Sequence, residues 1–257
     1  MEFNKSAVVI HAHPDDTEAF CSGTLKHLKD KGFSIAIATM TAGGMGGIGM
    51  SEQKTIAVRK KEAAKAAAVL DAPYHCFGGR DGYLFDTEAL RVAVIDFVRK
   101  HKAGVVLTHL PFDYHSDHRT TAQIVEAAVM LASLPSVPCR AKPLEVTPLL
   151  YHTAPLGFSD PLGNPIAEPH FFVDITKTID TKMDMLAHHH SQIELMRVMH
   201  KMPNFFDEMK KYNIDLGKIA GVKYAECFWQ HLGGGFQKDP LLQRELADVI
   251  RKLKKIK

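Results

Sequence analysis

The chain has 257 residues, 46% hydrophobic and 24% charged, the composition of an ordinary globular protein with enough apolar material for one sizeable core. Its formal net charge is +3, too small to argue for nucleic acid, and no apolar run reaches the length of a membrane span. The cysteines at 21, 76, 139 and 227 stand far apart, which argues against a zinc knuckle or disulfide framework and, with no signal-peptide pattern in Met1-Glu2-Phe3-Asn4-Lys5, leads us to expect a cytoplasmic protein with reduced thiols.

Ala7–Ile10 is apolar and β-branched and reads as a buried strand. Glu18–Lys31 carries Phe20, Leu25 and Leu28 at helical spacing and ends at Gly32, a suitable residue to follow a helix. Phe33–Met40 is a second strand. Thr41–Gly49, with five glycines, is a loop and is read as a mobile lid. Ser51 and Glu52 open an alanine-rich helix that runs to Leu70. Tyr74–Phe77 is a third strand, Gly78–Gly82 a loop, and Glu88–Lys102 a helix with Leu90, Val94, Phe97 and Val98 on one face. Val105–Thr108 is a strand and Asp117–Ala132 a helix. Beyond Pro135–Pro148 the pattern is less regular. Leu149–His152 and Phe171–Asp174 read as strands around a surface loop, Pro155–Pro169. Thr178 to Lys211 reads as helical with an apolar stripe of Met183, Leu186, Ile193, Met196 and Met199, and Pro240–Lys257 as a terminal helix ending in a solvated basic run.

Strands alternating with helices predict a doubly wound α/β fold with a mainly parallel sheet and an irregular helical C-terminal third. One domain over 1–257 is expected, with 1–134 as the core and 135–257 shaping the substrate site. The methionine-rich helices and Phe205-Phe206 suit a subunit interface, and a homo-oligomer is expected. In doubly wound sheets ligands sit beyond the carboxyl ends of strands. His13–Asp16, Gly43–Gly49, Gly78–Gly82 and His115–His118 each follow a strand, which argues for one shared site.

Residues 11–18 read His-Ala-His-Pro-Asp-Asp-Thr-Glu. Carboxylates at the mouth of a buried strand cost desolvation unless a partner or a cation compensates them. His13 and Asp16, three apart on a loop, can bend toward one ion, and His118 would complete the three protein ligands of a catalytic zinc site. His11 is a competing ligand that sits one strand position early and faces the opposite side. Asp15, pointing elsewhere on an extended backbone, is free to act as a base. His115 can stabilise an oxyanion or protonate a leaving group. Asp117 can cap its helix or hold a histidine in one tautomer. Gly43–Gly49 follows the second strand and lacks G-x-G-x-x-G spacing, which argues against a dinucleotide enzyme.

The octet resembles the (P/A)HPDD(x)E signature of the PIG-L/LmbE-like de-N-acetylases. His115-Ser116-Asp117-His118 resembles their H-x-D-H motif, and His189-His190-Ser191-Gln192 their H-x-S-Q. The resemblance covers roughly the first 125 residues and resumes at 189. It implies a Rossmann-like three-layer sandwich without a dinucleotide. It also implies one Zn2+ per chain on His13, Asp16 and His118, Asp15 as general base, and protonated His115 stabilising the tetrahedral intermediate with Asp117 as its orienting partner. The implied reaction removes acetate from a small molecule containing N-acetylglucosamine. Arg59 and Asp81, in segments similar to the family's R-x-x-E and G-x-x-D-G-x-L, would contact substrate. Gly44 departs from the pattern by standing where many members carry an acid. Glu226 and Trp229 are further candidates for the pocket wall. The rival readings are another mononuclear metallohydrolase and a non-catalytic metal-containing binding module.

Overall fold

A computed structural model describes residues 2–251. Its frame is an eight-stranded sheet in the order β3-β2-β1-β4-β5-β7-β6-β8. The strands are β1 (Ser6–His11), β2 (Ser34–Thr41), β3 (Tyr74–Gly79), β4 (Val105–His109), β5 (Leu149–Thr153), β6 (Phe171–Asp174), β7 (Ala225–Gln230) and β8 (Ile250–Arg251). The first five run parallel; β7 is antiparallel to β5 and β6, and β8 to β6.

β1 is apolar on both faces, as a central parallel strand must be. Ala7 and Val9 enter one core with Leu25, Leu28, Ala66 and Met185. Val8 and Ile10 enter another with Val94, Val98, Val125 and Val129. The residues of each group come from helices on opposite sides of the sheet: α2 (Ser22–Asp30), α3 (Glu52–Ala68) and α6 (Ile179–Ala187) on one, α4 (Glu88–Lys100) and α5 (Ser116–Leu131) on the other. This is the expected three-layer α/β arrangement.

Long-range contacts redraw four parts of the sequence reading. The helix expected over Glu18–Lys31 is two, α1 (Asp16–Phe20) and α2, broken at Cys21. The cause lies 200 residues away. The buried Glu226 carboxylate accepts the backbone N–H groups of Gly23 (3.0 Å) and Thr24 (2.7 Å) and the Thr24 hydroxyl, and so creates a new helix start there. Lys182 Nζ completes the pair at 2.7 Å and also donates to the Ala19 carbonyl. Glu226 and Trp229 therefore belong to the core and not to a pocket wall; the Trp229 indole donates to the Ala167 carbonyl. The run from Thr178 divides into α6, α7 (His190–Val198) and α8 (Phe205–Ala220), with Pro203 in the break before α8. The terminal helix is only α9 (Leu241–Glu245). The chain then pairs Ile250 and Arg251 with the open edge of β6, and the rest of the basic run, 252–257, lies outside the described residues. The strand β7 has no counterpart in the sequence reading.

Two outcomes follow from buried charge. Lys182 and Glu226 are both fully enclosed. Lys182→Met strands the carboxylate, and urea unfolding is expected to show a loss of about 3 kcal/mol, part of it recovered in Lys182→Met/Glu226→Gln. His152, enclosed on β5, donates from Nδ1 to the His109 carbonyl at 2.7 Å and meets His231 Nδ1 at 3.0 Å. Burial, with His231 beside it, holds its pKa down to about 4. The unfolded chain takes up this proton first as pH falls below about 6.5, so stability is lost between there and pH 4, by about 3 kcal/mol in all. In His152→Gln that contribution vanishes. The stability gap between wild type and variant should shift by up to about 1.4 kcal/mol per pH unit across pH 6 to 4.5, and a constant gap would refute the assignment.

Candidate active site

Strand order reverses between β1 and β4, and their carboxyl ends emerge side by side. This is where a doubly wound sheet opens a crevice. The loop leaving β1 carries His13, Asp15 and Asp16; the segment after β4 carries Asp113, His115, Asp117 and His118. The Ala12 N–H donates to His109 Nε2 at 2.9 Å and ties the two together. Asp15 is not extended: it has φ 94° and ψ −23°, a left-handed conformation that few residues other than glycine adopt. It forms the N-cap of α1, and its carboxylate is turned toward Arg59, whose Nη2 lies 3.3 Å from Oδ1. Burial, partly offset by Arg59, raises the Asp15 pKa to about 6. Strained backbone of this kind is concentrated at functional sites.

Asp16 is the hub. Its Oδ2 accepts the His13 N–H at 2.7 Å, and its two oxygens lie 3.3–3.4 Å from His13 Nδ1, His109 Nε2 and His118 Nε2. Burial works against its charge, yet His118 and His109 hold its pKa well below the usual range. His118 Nδ1 meets Asp113 Oδ1 at 2.9 Å. Burial lowers the His118 pKa, but Asp16 and Asp113 outweigh it and raise it to about 9. His109 stacks on His118 with ring centroids 3.8 Å apart, and burial together with His118 drives its pKa to about 3. His11 takes no part: its nitrogens face the Thr17 and Thr153 hydroxyls at 3.0 and 3.1 Å.

His13 Nε2 faces two further carboxylates, Asp81 at 3.2 Å and Asp117 at 3.4 Å. Burial opposes its protonation, but Asp117, Asp16 and Asp81 raise its pKa well above the ordinary value. The cap of α5 is His115 and not Asp117: His115 Nδ1 accepts the Asp117 N–H at 3.2 Å. The Asp117 carboxylate instead takes the Gly82 N–H at 2.8 Å and faces His13. Asp117 thus orients His115 through its backbone, and a different histidine through its side chain. Burial, with His13 and His118 nearby, lowers the His115 pKa. Its Nδ1 accepts the Asp117 N–H, which leaves Nε2 as the ring nitrogen available to carry a proton.

The remaining motifs brace this centre. Arg59 is almost fully buried and donates to the carbonyls of Pro14 (2.9 Å) and Gly43 (3.1 Å) as well as to Asp15. Gly43 makes room for it: a Cβ there would lie 2.0 Å from Arg59 Nη1, and its φ is +63°. A side chain at Gly44 would meet Ile56 and Glu52 of α3. The glycine loop is also fastened by the Met45 N–H to Asp81 Oδ2 at 2.9 Å. Glu62, three residues after Arg59, accepts both the N–H and the hydroxyl of Ser191 on α7. His189 Nε2 lies 3.3 Å from Glu18, and Gln192 reaches the cavity. The motifs at 59–62 and 189–192 are therefore two sides of one joint. His109 and Asp113 are the residues that the sequence reading missed. Their signals are a histidine ending a buried strand, as at His11, and an aspartate five residues before His118.

A cavity of about 620 Å³ opens over the cluster, lined among others by His13, Asp15, Asp16, Arg59, Asp81, His115 and His118. The PIG-L: GlcNAc-PI de-N-acetylase family model matches residues 8–129. The diacetylchitobiose deacetylase of Thermococcus kodakarensis is 27% identical over 86% of this chain and 81% of its own. The conserved protein TT1542 of Thermus thermophilus is 31% identical, with a TM-score of 0.72 over 91% of this chain and 97% of that one. The chain belongs to the PIG-L de-N-acetylase family. The fold reaches further: the 4-carboxy-2-hydroxymuconate hydratase GalB of a pseudomonad superposes with a TM-score of 0.73 at 20% identity, covering 91% of this chain and 98% of that one, a likeness of fold alone.

For a family member the cluster has the composition of a cation site. Donor atoms of His13, His115 and His118, of Asp16, His109 and His118, and of His13, Asp81 and Asp117 lie within 4.8 Å of one another in each group. The groups share members and describe one centre. Four carboxylates, Asp16, Asp81, Asp113 and Asp117, converge there, and the buried Asp113 Oδ2 and His109 Nδ1 face each other at 3.9 Å, beyond hydrogen-bonding distance. A divalent cation would offset the charge of these carboxylates. The Asp113–His118 contact is the carboxylate–imidazole pairing that fixes a ligating ring. Asp113→Asn is expected to weaken metal binding by about 10–100-fold in chelator competition while leaving the fold intact by circular dichroism.

Proposed function

We propose that this chain is a zinc-dependent N-deacetylase. In this reading it hydrolyses the N-acetyl group of a small molecule containing N-acetylglucosamine and releases acetate and the free amine. Membership of the family and the deacetylase relatives support the reaction class. The single observation that carries the mechanism is Asp15: a half-buried carboxylate held by Arg59 beside the cluster, in a strained backbone turn, facing the cavity.

Nitrogen and oxygen donors suit zinc, and His13, Asp16 and His118 are the residues that would hold it. Zinc there would supply a Lewis acid that polarises the amide carbonyl and acidifies water. Asp15 takes the proton from the attacking water and delivers it to the departing nitrogen, so that one carboxylate serves in both directions. Arg59 keeps the Asp15 carboxylate turned toward the cavity. His115, neutral and accepting the Asp117 N–H on Nδ1, presents its Nε2–H as a donor to the developing oxyanion. Asp117 fixes the His13 ring. Asp81 holds both His13 and the glycine loop, so any contact it makes with substrate is shared with these tasks. A two-metal phosphoesterase is less well supported, because the donor groups form one centre.

Acetate release from N-acetylglucosamine conjugates by zinc-loaded protein tests the reaction. Asp15→Asn is expected to keep near-stoichiometric zinc and lose at least about 100-fold in kcat, whereas His13→Ala is expected to lose the metal. Metal loss in the Asp15 variant, with activity restored by added zinc, would reverse the two roles.

A further inference from the structure

Part of the cavity lining is apolar and adjoins the polar cluster: a Cβ on Gly46 would lie 3.0 Å from Leu195 Cδ2 and 3.2 Å from Arg59 Nη1. The apolar wall is built from Phe20, Leu156, Leu195, Met196, Phe205 and Met209, contributed by α1, the 156–158 turn, α7 and α8. It begins at the centre itself: the Phe20 ring lies 6.2 Å from that of His118 and 5.9 Å from that of His109. It is also anchored in the fold, because Ala19, Phe20, Leu186, Phe205 and Met209 form one buried cluster with Met196 against it.

We propose that this wall is the aglycone subsite, and that the substrate is an N-acetylglucosaminide whose aglycone is an apolar chain or ring system. The inference rests on the deacetylase reading above. Three observations carry it. The volume, about 620 Å³, falls within the range of roughly 300–1,000 Å³ typical of drug-sized ligands, which leaves room beside one sugar. An anionic aglycone has no free lysine or arginine to meet: Arg59 is the one such residue among the described lining residues, and Pro14, Gly43 and Asp15 already hold its guanidinium. A polyol or second sugar would bury several hydroxyls against a wall whose polar side chains beyond the catalytic end are Gln192 and His200. Gln192 Oε1 is buried without a partner and can accept one hydroxyl, enough to orient a single sugar ring.

The test compares kcat/KM of the zinc-loaded enzyme for methyl and octyl β-N-acetylglucosaminide and for N,N′-diacetylchitobiose. The octyl glycoside should exceed the methyl glycoside at least tenfold, chiefly through KM, with the disaccharide no better than methyl. Met196→Gln and Leu195→Gln should each pull the octyl-to-methyl ratio toward one. A wild-type ratio within twofold, or a preference for the disaccharide, overturns the proposal. So does faster cleavage of an N-octanoyl than an N-acetyl methyl glycoside, which would make the wall an acyl site. If no amide is cleaved, the deacetylase reading fails by itself. Calorimetry with octyl and methyl β-glucoside then reads the cavity alone: tenfold tighter octyl binding keeps the subsite, and equal binding removes it.

Discussion

One buried carboxylate organises this molecule's reactive end. Asp16 faces three imidazoles and the His13 amide at once, and those partners come from two strands that neighbour each other only because the sheet reverses order between them. Each histidine then recruits its own acid: His118 takes Asp113, and His13 takes Asp81 and Asp117. The loops bearing these acids are held in turn by the same contacts, Gly82 to Asp117 and Met45 to Asp81. The loops and the histidine–aspartate cluster are thus a single hydrogen-bonded object. A charge at its centre can change state only if its surroundings respond.

What the sequence made legible was local. His-Pro-Asp-Asp after an apolar strand, and His-x-Asp-His opening a helix, announce their chemistry because a few adjacent residues carry it. The alternation of strand and helix up to residue 131 was readable for the same reason. The parts that eluded it depend on distant partners. His109 matters because it stacks on His118, and Asp113 because it meets the far nitrogen of that ring. The break at Cys21 is written by Glu226. The strand β7 hides because its Glu226, fully buried, breaks the apolar run by which a core strand is recognised. Asp15 was expected to be extended. Its left-handed turn reflects the closed loop between β1 and α1, which no propensity of aspartate specifies alone.

The two halves of the chain divide the work at the cavity. Residues from the first half supply acids, imidazoles and the arginine; α7 and α8 supply most of the apolar wall. The seam between them is polar and specific, with Glu62 against Ser191 and Glu18 against His189.

The place of β7 sets the order in which the molecule can be completed. β6 reaches β5 and the parallel strands only through β7, and β7 leaves the ribosome about fifty residues later. Until residue 230 arrives, the edges of β5 and β6 stay open, the Glu226 that starts α2 is absent, and Lys182 lacks its counter-charge. The emerging chain can therefore assemble the parallel half with its acids and imidazoles, but must wait for β7 to seal it. Termination ahead of β7 would leave open strand edges and an unpaired cation, the kind of species that chaperones and proteases engage.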